Sequence, residues 1–421
     1  PRIGENLTRR AVDGDLPAPD GGSAVRERLR AQVSAAPPRS VVLVGPSGSG
    51  RSTALRGLVH DLLAADDFGA HQNADAARAV WRVSGTRIIA GMSFVGDWEE
   101  RCGDVLADVR ARKALLAVDD LHQWGRIGRS RDSDRNLAEF FRAPVSRGEC
   151  VLLGECTVEQ WRQLEEDAPS FAASFTRVAM PETTEAEAMR MLLHESRALE
   201  LTYGTRVPAS GLRALLEVGG PLFPHRALPG RVFDLLHAAL RDSGARVDGD
   251  DLALRRAELL AVRSDVALDE DRALDWLSRR TGFPRGLLHP DEPMSADDVR
   301  AAMTARVLGQ APGVEAVVDL AMRIRRGLSD PKRPLAVYLF TGPTGTGKTE
   351  LARAMAAYLY SSPTRLLRLD MGEYATPDAA ARLIGDRGAP EGLLTRHAAQ
   401  QPFGVVLFDE IEKAHPQVHN L

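Results

Sequence analysis

The feature that most constrains this chain is an internal repeat. Residues 40–63 read SVVLVGPSGSGRSTALRGLVHDLL, and residues 337–360 read VYLFTGPTGTGKTELARAMAAYLY. Each copy has a short apolar run, a glycine-rich loop and then apolar residues at helical spacing, a pattern that predicts strand, loop and helix. A second pair of segments repeats at a similar distance downstream. Ala114-Leu-Leu-Ala-Val-Asp119-Asp120 matches Val405-Val-Leu-Phe-Asp409-Glu410, each a buried strand ending in two carboxylates. Self-similarity at so long a period implies two homologous α/β modules in tandem, each a parallel sheet flanked by helices.

Between the copies the pattern changes. Residues 181–241 have helical periodicity and no strand-like alternation, which reads as a small helical domain. Residues 243–298 are rich in Asp, Arg, Gly and Pro, with one amphipathic stretch at Asp271–Arg280, and read as a linker with short helices. The expected organisation is a first large domain over 1–180, its helical lid over 181–242, the linker over 243–298 and a second large domain over 299–421.

The second glycine-rich loop meets the pattern G-x-x-x-x-G-K-[ST] with Gly342, Gly347, Lys348 and Thr349. Only a backbone rich in glycine lets successive N–H groups converge on a polyphosphate, and the helix that follows turns its positive end to the same anion. The expected nucleotide-binding set is Gly342, Pro343, Thr344, Gly345, Thr346, Gly347, Lys348, Thr349 and Glu350. Lys348 would reach the β- and γ-phosphates of ATP, while Thr349 and Asp409 would hold Mg²⁺. Glu410 would polarise the attacking water, which makes Glu410 and Lys348 the candidate catalytic residues.

Composition narrows the partners. The formal charge is -4 with no basic stripe, so neither nucleic acid nor a membrane surface is expected as a partner. The longest apolar runs fall far short of the ~20 residues of a membrane helix, and no signal peptide is visible. Cys102, Cys150 and Cys156 have no metal-ligand spacing, and with them a reducing, cytoplasmic setting is expected. His122 is given no catalytic role. Trp81, Trp124, Trp161 and Trp276 are expected to pack.

TGPTGTGKTELA, RLDMGEY at Arg368–Tyr374, RLIG at Arg382–Gly385 and LFDEIEKAHPQV at Leu407–Val418 together resemble the second ATPase module of the Clp family of AAA+ unfoldases. Residues 305–310 and 326–334 are similar to that module's entry. The resemblance implies that Val307 and Leu308 line the adenine pocket. It also implies a homohexameric ring that acts on folded or unfolded protein substrates, with a peptidase or adaptor as a further partner. Two departures stand out. The family's aromatic pore loop would fall in Asp386–Leu393, which has no aromatic residue. The family's sheet also places a later strand between the two strands of the nucleotide site. The second module is therefore expected to be incomplete at its C-terminal end, and unable to fold or hydrolyse ATP alone in this form.

Residues 4–242 resemble the first Clp module. Leu7–Leu16 is similar to its lead-in helix, Gly91–Arg101 to its substrate-gripping loop, Leu116–His122 to its acidic strand and Leu228–Leu235 to its sensor segment. On that resemblance the first site comprises Gly45, Gly48, Gly50, Arg51, Ser52, Thr53, Asp119, Asp120 and Arg231, in degenerate form. Arg51 stands for the phosphate-binding lysine, and its planar fork is not a point charge. Asp120 stands for the glutamate, one methylene short, and water positioning is sensitive to a shift of that size. The stretch Phe171-Ala-Ala-Ser-Phe175 carries no arginine finger, and Cys156 stands where a polar sensor is usual. The expectation is a first site that holds nucleotide weakly and hydrolyses it slowly or not at all. The other reading is that Arg51 substitutes adequately. Phe94 has two readings as well, a pore-loop aromatic or a ring packed beside Trp98.

The function expected is ATP-dependent protein unfolding or remodelling, with hydrolysis at the second module and the first as scaffold. The rival is a catalytically dead paralogue that acts as an interaction protein on an active ring.

Overall fold

The structure is a computed structural model that describes residues 4–19, 22–66, 78–92, 95–129, 135–223, 226–243, 267–289, 292, 294–326, 333–343, 345–385 and 392–421. The chain forms two compact units, one of Pro1–Glu195 with His225–Asp234 and one of Ser196–Pro224 with Leu235–Leu421.

The first unit is built on six strands: β1 (Gly4–Asn6), β2 (Ser40–Val44), β3 (Val80–Val83), β4 (Leu115–Val118), β5 (Val151–Cys156) and β6 (Phe175–Ala179). Their order is β1-β3-β4-β5-β2-β6, with β1 antiparallel to β3 and every other pairing parallel. Strands β2 and β4 are buried along their whole length, because helices cover both faces of a parallel sheet. Side chains alternate between the faces. Val42, Val44, Leu116, Val118, Leu152 and Cys156 enter one core with Trp124, Phe141 and Phe171. Val41, Leu43, Leu115, Ala117, Val151 and Leu153 enter the other, under the helix Arg51–Ala65. Strand β2 lies between β5 and β6, so the loop leaving its C-terminal end opens where the strand order reverses, the usual place for a ligand in such a sheet.

Residues 181–242 hold the helices Glu185–Tyr203, Ala209–Ala214 and Gly230–Ser243, in line with the helical periodicity. The amphipathic stretch in the linker is the helix Glu270–Thr281, capped by the Asp269 side chain at one end and by left-handed Gly282 at the other. All three cysteines are buried thiols, and Trp124, Trp161 and Trp276 are packed in cores.

In the second unit β7 (Leu366–Asp370) and β8 (Val405–Asp409) form a parallel pair. Leu369, Met371, Tyr374, Ala379, Leu383, Ala414 and Val418 form a small core. The glycine-rich loop leads into the helix Lys348–Leu359, as the repeat predicts. The strand predicted before it does not form: residues 336–341 join no ladder among the described residues, and Val337 and Leu339 are 84% and 76% exposed. The reason is the absence of a partner. In the first unit β2 is held by β5 on one side and β6 on the other, whereas β7 and β8 pair only with each other among the described strands. An apolar run cannot satisfy its backbone as a lone strand. Among the described residues, no helix is long and apolar enough to cross a membrane.

Candidate nucleotide sites

Each module presents a loop, a helix N-terminus and an acidic strand end. The side chains around them are engaged differently.

In the first module the loop after β2 turns on Gly48 and Gly50, both at φ +87, and Gly50 leads into the helix Arg51–Ala65. The Arg51 Nη1 donates to the Gly45 carbonyl at 2.9 Å, folding back on its own loop. The Ser52 hydroxyl donates to Glu155 Oε2 at 2.7 Å. Asp119, at the end of β4, accepts from Arg82 Nε at 2.8 Å and 2.9 Å through its two oxygens.

Asp120 bonds to the segment that follows β3. It accepts from Ser84 Oγ at 2.7 Å, Gly85 N at 2.7 Å, Thr86 N at 3.2 Å and Trp124 Nε1 at 3.2 Å. Burial pushes its pKa up, but these donors outweigh burial and hold it below the usual carboxylate range. Through Gly85 and Thr86 it accepts from the first amides of the short helix Gly85–Ile89, whose N-cap is Ser84. Burial pushes the Cys156 thiol up to about 12, which leaves a packing residue rather than a reactive one. Burial also lowers the His122 pKa. The Arg231 Nε is buried with no hydrogen-bond partner.

The lid segment closes directly on this loop. Ala227 N donates to the Ser47 carbonyl at 2.7 Å, and Gly230 N donates to the Gly48 carbonyl at 3.0 Å. A Cβ on Gly230 would lie 2.6 Å from Gly48 Cα, so only glycine permits this approach. Gly230→Ala is therefore expected to destabilise the first unit by about 1–3 kcal/mol, read as a lower chemical-denaturation midpoint by tryptophan fluorescence.

In the second module Gly345 and Gly347 have φ of +80 and +89, and Cβ atoms built on them would meet nothing within 4 Å. The Lys348 Nζ donates to the carbonyls of Gly342 and Pro343, each at 2.7 Å. Thr346 Oγ1 donates to the Pro343 carbonyl at 2.9 Å, and Gln310 Nε2 donates to the Thr346 carbonyl at 2.8 Å. Thr344 lies outside the described residues. Thr349 is half-buried in the first turn of the helix, and Glu350 is exposed, 3.5 Å from Arg353. Asp409 pairs with Arg368 at 2.6 Å. Glu410 has left-handed backbone at φ +55, uncommon for a side-chain-bearing residue, and pairs with Lys413 at 2.7 Å. Val307 is buried, while Leu308 is 83% exposed.

The two modules share one device that inspection of the sequence missed. Arg82 stands opposite Ala117, and Arg368 opposite Leu407, each two residues before the aspartate it pairs with. The signal available was an arginine at the matching place in β3 and β7. Glu155 and Gln310 carried no comparable signal, since each depends on a partner far along the chain. Phe94 lies outside the described residues, as does 386–391 of the stretch compared with the second pore loop.

The AAA domain family (Cdc48 subfamily) matches residues 333–421. Among curated relatives, the chain is 27% identical to the ATP-dependent Clp protease ATP-binding subunit ClpE of Bacillus subtilis, over 90% of this chain and 59% of that protein. It is 28% identical to a ClpA homolog of Cyanidium caldarium, over 100% of this chain and 55% of the relative. It is 27% identical to the chaperone protein ClpB of Oceanobacillus iheyensis, over 100% of this chain and 57% of the relative. The chain thus spans a little over half the length of these relatives. In fold it is similar to the S. cerevisiae Hsp104–ADP complex, with TM-score 0.69 and 24% identity over 99% of this chain and 69% of that one. A closed-state Hsp104 structure with ATPγS and FITC casein gives TM-score 0.68 at the same identity and coverage. With its repeated loop, helix and acidic strand, the chain is similar over nearly its whole length to the Clp proteins, and residues 333–421 match the AAA domain family (Cdc48 subfamily).

Proposed function

We propose that the protein remodels other proteins at the expense of ATP, as a hexameric ring in which the second module turns over nucleotide and the first serves as scaffold. The contrast between the two acidic pairs carries this reading. Among the described residues the Glu410 side chain is held by an exposed ion pair, whereas Asp120 is committed to five donor atoms on four residues. An exposed ion pair is worth about 0–1 kcal/mol, so Glu410 is released at little cost. Hydrogen bonds to a charged group are worth about 1.5–3 kcal/mol each, so Asp120 is not.

The donor set of the second site suits the substrate. Lys348 brings a point charge to an open loop, and Thr349 and Asp409 are hard oxygen donors of the kind Mg²⁺ prefers. When bound, Mg²⁺ would neutralise charge on the phosphates. Thr349 and Asp409 would hold it, Lys348 would bind the phosphate oxygens and Glu410 would orient the water. Val307 and Leu308 are proposed to face the adenine. Clp and Hsp104 relatives support a polypeptide substrate, here proposed to be gripped by Phe94, with a peptidase or adaptor as a further partner.

The test is single-turnover hydrolysis of γ-labelled ATP by the Glu410→Gln protein. Phosphate release is expected to fall by about 10²–10⁴-fold with nucleotide binding retained. Appreciable residual turnover would assign hydrolysis to the first module. A wild-type protein with no turnover at all would favour the rival, a non-catalytic interaction protein on an active ring.

A further inference from the structure

The first phosphate loop has an occupant of its own. In a G-x-x-x-x-G-K-[ST] loop the hydroxyl is the atom that goes to the metal at the phosphates, and Ser52 holds that place after Arg51. Here the Ser52 hydroxyl donates to Glu155 Oε2 at 2.7 Å. Glu155 stands opposite Leu43 in the β2–β5 ladder and alternates with Val151 and Leu153. It therefore projects on the face covered by the helix Arg51–Ala65, at that helix's N-terminal end.

We propose that Glu155 is an autoinhibitory residue that closes the first loop to Mg²⁺·nucleotide. This rests on the reading of the first module as the site that does not turn over. The lid segment sits on the same loop, with the Ala227 and Gly230 amides donating to the carbonyls of Ser47 and Gly48. The carboxylate removes the hydroxyl from the metal and sets a negative charge against the incoming phosphates. It also draws on the positive helix end that an anion would otherwise use.

The experiment uses the full chain carrying Lys348→Ala, which silences the second loop, titrated calorimetrically with ADP in MgCl₂. Weak binding is expected in this parent, and Glu155→Ala is expected to tighten it by about tenfold or more. Glu155→Gln keeps an acceptor for Ser52 but drops the charge, and is expected to fall between the two. It also keeps the test standing if the alanine variant fails to fold. A weakly binding parent in which neither variant gains affinity overturns this proposal and leaves the scaffold reading intact. Loss of affinity in both variants would make Glu155 a ligand rather than a block, and overturns it too. Tight binding in the parent, one equivalent per chain, overturns the proposal, while the reading beneath it falls only if the Glu410→Gln protein still turns over ATP.

Discussion

Replacing Lys348 by alanine is expected to lower ATP turnover by about 10²–10³-fold, the usual cost of removing one charged donor from a developing anion. Replacing Arg51 by alanine is expected to leave turnover nearly unchanged. The difference follows from what surrounds each cation, since both donate to the carbonyl of the first glycine of their loop. Lys348 rests on two carbonyl oxygens at 2.7 Å, in a loop whose glycines leave open space around them. A polyphosphate carries full charges and outcompetes carbonyl dipoles for the ammonium. Around the same site, Arg368 and Lys413 hold Asp409 and Glu410 through half-exposed ion pairs. Such pairs are screened and contribute about 0–1 kcal/mol, so a bound Mg²⁺·ATP can replace them. Arg51 instead spans back to the Gly45 carbonyl beside a hydroxyl already given to Glu155. Phosphate release by the two variants reads the outcome directly. Equal losses in both would mean that the two modules share the hydrolysis.

How far the sequence was legible depended on whether a property is local. The loops Gly45–Ser52 and Gly342–Thr349 and the acidic strand ends could be read because phosphate chemistry demands contiguous patterns, and helices followed both loops where the periodicity placed them. The run at 337–341 is as apolar as Val41–Val44, yet it joins no ladder among the described residues, because a strand is a property of its neighbours. Glu155 escaped notice for a related reason: its partner Ser52 lies on the helix that begins just after β2, 103 residues earlier. Asp120 was read as a departure from glutamate. Its hydrogen bonding, however, is set by Ser84, Gly85 and Thr86 just after β3 and by Trp124, none of which belongs to the acidic motif.

That commitment of Asp120 gives the second large effect. Asp120→Ala is expected to destabilise the first unit by about 3 kcal/mol, because it leaves the Gly85 and Thr86 amides and the Trp124 indole N–H without their acceptor. Asp120→Asn keeps an oxygen acceptor and should lose less. The pH dependence separates charge from shape. The folded carboxyl titrates below the ordinary carboxylate value, so the unfolded chain binds its proton first as pH falls. The stabilisation from the charge is therefore complete above about pH 5, where an unfolded aspartate is almost fully ionised, and is lost as pH drops from there through the lower folded value. Denaturant midpoints measured from pH 7 down to pH 3 should fall more steeply for the wild type than for Asp120→Asn, with Trp124 fluorescence reporting on the unit. If Asp120 instead serves as a base aimed at water, its removal would slow hydrolysis and leave those midpoints in place. The number of its donors argues that stability is what moves.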